Sequence, residues 1–139
     1  MTKKALFTIL LGFLMLLTGS CNKKEVVVTQ DLLTGTWQLN TITEGKVAPI
    51  TLKKVFYQFL ENGNLLITEH QYESTYTYSL NCIEKTLELT PPEDVIEGKA
   101  STWIIDILSE EVLVIHQTRR QAGCSREMVL CTLSFTRVQ

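Results

Sequence analysis

The chain predicts an all-β domain, eight antiparallel strands in up-and-down order that close into a barrel. Three observations carry that prediction. From Gly35 to the end, apolar and polar residues alternate, which is the period of a half-buried strand. Short polar turns separate the alternating runs, so sequential neighbours pair as hairpins. No stretch beyond Gly35 keeps a helical period, and eight meander strands without a cover must close to hide their edges.

The strands read as Thr36–Thr43, Lys54–Leu60, Asn64–Glu69, Tyr72–Leu80, Lys85–Leu89, Ser101–Ile107, Glu111–Thr118 and Glu127–Val138. Each is rich in β-branched and aromatic residues. Glu61-Asn62-Gly63-Asn64 predicts a type I′ turn, with Asn-Gly supplying both positive-φ positions. Leu108-Ser109-Glu110 makes a second short connection, and one helical turn at Thr29–Leu33 precedes the first strand.

Alternation also assigns the interior. The predicted inward sets are Trp37, Leu39 and Thr41; Val55, Tyr57 and Phe59; and Tyr72, Ser74, Tyr76, Tyr78 and Leu80. Trp103, Ile105 and Ile107 follow, then Val129, Cys131, Leu133, Phe135 and Arg137.

Ahead of the barrel, Lys3 and Lys4 precede an apolar run from Ala5 to Leu17, then Thr18, Gly19, Ser20 and Cys21. This is the layout of a secretory leader, with an apolar run too short to span a bilayer comfortably. Leu17-Thr-Gly-Ser-Cys21 resembles a lipobox, with Thr18 where Leu is usual. The resemblance implies cleavage before Cys21, acylation of that cysteine and stable anchoring through more than one chain. It places the protein in a bacterial cell envelope, at the outer membrane, on its periplasmic or exposed face. An ordinary leader cut after Ser20 and an uncleaved helix are the other readings. The organisation is then a leader over 1–20, an acylated cysteine and polar tether over 21–28, and one domain over 29–139.

Removing the leader takes two lysines and leaves 11 basic against 15 acidic residues, a formal charge of −4. No basic stripe is present, which argues against nucleic acid as a partner. Lys23 and Lys24 follow Cys21 in a charged tether, where they suit contact with anionic head groups, at about 1 kcal/mol each, or simply keep the tether solvated.

Leu33-Thr-Gly35-Thr36-Trp37 is similar to the Gly-x-Trp start of lipocalins, which also follows a short helical turn. Phe135-Thr-Arg137 puts an arginine near the end of the last strand. In lipocalins such an arginine packs over that tryptophan at the closed end of the barrel. A guanidinium on an indole suits both groups physically, covering the ring while stabilising the charge. The domain therefore resembles a lipocalin-like domain of bacterial envelope lipoproteins, and the middle lipocalin motif is not recognisable. Fatty-acid-binding proteins share the Gly-Thr-Trp start, but they insert two helices where this chain has only 44–53.

Catalysis finds no support in the sequence. His70 and His116 sit in no acid–nucleophile arrangement, and Glu110-Glu111 reads as a hairpin tip. No metal-ligand spacing and no phosphate loop appear, so neither a metal nor a cofactor is expected. Cys82, Cys124 and Cys131 allow three disulfide pairings in an oxidising compartment. Parity puts Cys82 and Cys124 at opposite ends, whereas Cys124 has Cys131 within reach.

Binding is the role that remains. The expected open-end loops are 44–51, 70–71, 90–100 and 119–126. Candidate lining residues are Tyr57, Tyr76, Tyr78, Trp103 and Phe135, and Arg119, Arg120 and Arg126 stand at the candidate mouth. Those arginines suit a carboxylate or phosphate head group, or simply a solvated hairpin tip. The aromatic residues suit a small apolar or amphipathic ligand in the barrel. They equally suit a filled barrel, an interaction module that presents its loops to an envelope protein or polysaccharide.

Overall fold

The computed structural model describes residues 25–45, 48–52, 54–95, 98–119 and 128–139. A single helical turn, α1 (Gln30–Leu33), leads into nine strands. These are β1 (Gly35–Glu44), β2 (Ile50–Thr51), β3 (Val55–Phe59), β4 (Asn64–Glu69), β5 (Tyr72–Asn81), β6 (Thr86–Thr90), β7 (Ser101–Leu108), β8 (Val112–Arg119) and β9 (Met128–Arg137). Every sequential neighbour from β3 to β9 pairs antiparallel, and β9 pairs back onto β1. The result is a closed eight-stranded up-and-down barrel, as the alternation predicts.

The ninth strand is a short addition within the expected 44–51 loop. Ile50 and Thr51 pair with Ile42 and Thr41 of β1, while β3 pairs lower down with Gly35 to Gln38. Lys54, with a φ of 63°, separates the two stretches that lie against β1.

Three register shifts interrupt the described ladders, one of them between Thr118 and Arg119, and the other two alter the predicted faces. One lies between Leu39 and Thr41, so Ile42 pairs with buried Leu133 and joins the core. Thr41, predicted inward, pairs instead with Ser134 on the outer side. The other lies between Ile105 and Ile107, so Leu108 is buried and Ile107 is 47 % exposed, against the inward expectation. One extra residue reverses the parity of everything after it on the bulged strand.

Local chemistry explains the turns. At β3–β4, Gly63 N–H donates to Leu60 O at 3.3 Å and Leu60 N–H to Asn64 O at 2.9 Å. Gly63 has a φ of 85°, whereas Asn62 is not in the positive-φ region. The connection is therefore a type I turn closed by a glycine bulge, not the expected type I′ turn. At β5–β6, Asn81 Oδ1 accepts from Ile83 N–H at 3.1 Å and Glu84 N–H at 2.9 Å. Ser109 Oγ does the same at β7–β8, accepting from Glu111 and Val112.

Candidate functional site

The two ends of the barrel are built differently. At the closed end α1 crosses the base, N-capped by Thr29, whose hydroxyl accepts from Leu32 N–H at 3.3 Å. The Trp37 indole is fully buried and donates to Leu33 O at 2.8 Å. Over it lies the Arg137 guanidinium, 4.3 Å from the ring centroid, as the Gly-x-Trp and terminal-Arg motifs imply. Arg137 donates to Thr34 O at 2.9 Å, to Glu110 O at 2.6 Å and to Leu32 O. It thus satisfies carbonyls that the end of α1 leaves over, and ties the helix to the β7–β8 turn. Gly35 has a φ of 134°, and a Cβ there would collide with the Arg137 side chain. Gly35, Trp37 and Arg137 form one interlocked unit.

The predicted lining residues separate by depth. Phe135 and Tyr78 are buried toward the closed end. The Tyr78 hydroxyl donates to Leu60 O at 2.5 Å and accepts from Gln30 Nε2 at 2.6 Å, which fixes it against α1. Phe59 meets the Tyr78 ring edge-on at 5.1 Å. Trp103 is buried and donates to Ser101 Oγ at 2.9 Å. Tyr57 and Tyr76 lie higher and are half-buried, with Tyr57 edge-on to Phe135 at 4.9 Å.

Above these two tyrosines the interior meets solvent. The inward face of β5 runs from buried Tyr78 through half-buried Tyr76 to exposed Ser74 and then Tyr72, which is 81 % exposed. Tyr72, predicted inward, does lie on that face, but at the rim, where nothing covers it. The register continues the rim around the barrel: Tyr72 pairs with Glu69, Glu69 with Val55, and Cys131 with Glu44 and Gln117. Glu69, His70 and Tyr72 border a hollow of about 260 Å³ there. β6 ends at Thr90 opposite Thr77, so among the described strands residues 72–76 of β5 have no partner on that side.

Burial pushes the Tyr57 phenol up to about 12, helped by the nearby Tyr76, Glu69 and Cys131. It stays protonated, and so keeps a hydrogen-bond donor, at any physiological pH. Sequence spacing does not reveal this group of Tyr57, Tyr76, Glu69 and Cys131, because it is assembled from four strands.

Of the mouth arginines, Arg119 ends β8, and Arg120 and Arg126 lie outside the described residues, as do Cys21 and Cys124. Cys82 is exposed on the β5–β6 turn. His116 Nδ1 and Asp106 Oδ2 lie 2.6 Å apart on the outer wall, an ion pair when the imidazole is protonated. Among the described residues no group of three metal-ligating side chains comes together.

The architecture recurs in solved structures. A lipocalin-like protein from Bacteroides uniformis superposes with a TM-score of 0.53 at 19 % identity, covering 76 % of this chain and 97 % of its own. An uncharacterized protein from Bacteroides eggerthii gives a TM-score of 0.54 at 13 % identity, covering 76 % of this chain and 98 % of its own. No family model and no curated protein matches the chain. The fold is lipocalin-like.

Proposed function

We propose that this protein is a lipid-anchored binding protein that holds a small apolar or amphipathic molecule in the open half of its barrel. The supporting observation is the gradient along β5, from buried Tyr78 to exposed Ser74 and Tyr72 on one inward face. An interior that reaches solvent at one end and is packed at the other is the shape of a single-ligand barrel. Ile42, Ile67 and the rings of Tyr57 and Tyr76 supply apolar wall, while Tyr57 and Tyr76 also supply hydroxyls. The lipobox-like Leu17–Cys21 segment supports the anchor, and envelope localisation follows from it.

A filled interaction module is the second reading, favoured by the Tyr57–Phe135 contact, which extends the packed core upward. Native mass spectrometry of residues 25–139, which contain every buried core residue among those described, separates the two. A discrete adduct that leaves on denaturation, and weakens in Tyr76→Arg, supports the carrier. A bare mass that stays bare after incubation with bacterial lipid extract supports the module and defeats the carrier.

A further inference from the structure

We propose that the closed end of the barrel rests on a zwitterionic lipid surface, with Ile83 as the contact, so that the mouth opens away from the membrane. This rests on the reading of Cys21 as the lipid-bearing residue. Among the described residues Ile83 is the most exposed large apolar side chain, at 92 %. It is also held in place, because Asn81 Oδ1 accepts the N–H groups of Ile83 and Glu84 and fixes the turn. The ordered turn holds this one side chain outward, a contact point rather than an apolar patch, so its occupant is set by the tether.

The chain itself brings a membrane to that turn. Glu25 Oε1 is 3.3 Å from Lys85 Nζ, two residues from Ile83. Cys21 lies four residues before Glu25, a covalent reach of at most about 14 Å. The mouth is farther away. β5 takes ten residues from rim to base, about 20–25 Å along the axis once strand tilt is allowed for. The acyl chains therefore enter the bilayer near the base of the barrel, beyond reach of its mouth. Val27, 64 % exposed, and Ile107 flank a groove of about 480 Å³ beside this tether, which Glu25 and Asp106 also line.

Charge decides which lipid surface fits. Glu84 adjoins Ile83, and Glu61, Glu110 and Glu111 stand exposed on the neighbouring turns. Lys85 and Arg137, the basic groups near them among the described residues, are engaged by Glu25 and by carbonyls, and the two tether lysines, Lys23 and Lys24, do not outnumber these four glutamates. Contact is then shallow, carried by apolar side chains and the tether, and weakened by anionic lipid.

The test uses the acylated full chain in phosphatidylcholine vesicles whose acyl chains carry bromine quenchers. Tryptophan is introduced by Ile83→Trp at the base or Tyr72→Trp at the rim, both exposed positions, over the background of Trp37 and Trp103. The emission added at position 83 should fall roughly twofold, that at 72 should not change, and phosphatidylglycerol should reduce the effect. Quenching absent at 83, or equal at both positions as for a barrel lying on its side, overturns the proposal. A chain that carries no acyl mass on Cys21 overturns the anchor reading, and this proposal with it.

Discussion

The base and the rim of this barrel share strands but not chemistry. At the base, Trp37, Leu33, Phe59, Leu65 and Phe135 are sealed, and Arg137 and Tyr78 donate hydrogen bonds to the backbone carbonyls around them. At the rim, the inward faces of β4 and β5 end in Glu69, Ser74 and Tyr72, all exposed, while Val55 opposite Glu69 stays buried. Packing is concentrated toward the closed end, and toward the other end the inward faces of β4 and β5 reach solvent. Residues in the two halves should therefore respond very differently to the same kind of substitution.

The largest effect belongs to the base. Trp37→Ala removes a fully buried indole, its hydrogen bond to Leu33 O and the surface under Arg137, and should cost about 3–5 kcal/mol in denaturant unfolding. Gly35→Ala comes next. Its φ of 134° and the Arg137 side chain both oppose a Cβ, so a loss of about 1–3 kcal/mol is expected in the same measurement.

Tyr57 sits between the halves and gives a pH signature. Its phenol loses a proton near 10 when unfolded and near 12 when folded, so the folded state holds that proton more tightly. The stability this gives is complete below pH 10 and is lost as pH rises from 10 to 12, about 3 kcal/mol in all. Tyr57→Phe should flatten this part of a stability–pH curve, and an unchanged slope would place the phenol in water. The smallest effect belongs to the rim, where Tyr72→Ser should shift stability by no more than about 0.5 kcal/mol. A large loss there would mean that the rim is part of the core.

Much of this division was legible in the sequence, for a physical reason. Alternation reports which face a residue occupies, and it placed Trp37, Tyr57, Tyr78, Trp103 and Phe135 on the inner face. It carries no information about height along the barrel, so Phe135 at the base and Tyr72 at the rim looked alike. Bulges were the other blind spot. Asn40 and Asp106 are polar residues on outer-looking positions, and nothing in their type marks the register shifts beside them that turn Thr41 and Ile107 away from the core. The His116–Asp106 pair was hidden for the same reason, since it forms beside a bulge. Asn62-Gly63 identified the hairpin but not its turn type, because one positive φ at Gly63 suffices when a bulge follows. The closed end was the most readable region, because one steric demand at Gly35 and one stacking demand at Trp37 and Arg137 leave few alternatives.

Amide hydrogen exchange, read residue by residue with and without bacterial lipid extract, tests the two-half description most directly. Amides of Trp37, Leu39, Leu133 and Phe135 should exchange only through global unfolding. Those of residues 72–76 that face away from β4 should exchange far sooner and slow down when extract is added. Uniform protection from base to rim, unchanged by extract, would contradict a barrel that is packed at one end and open for a ligand at the other.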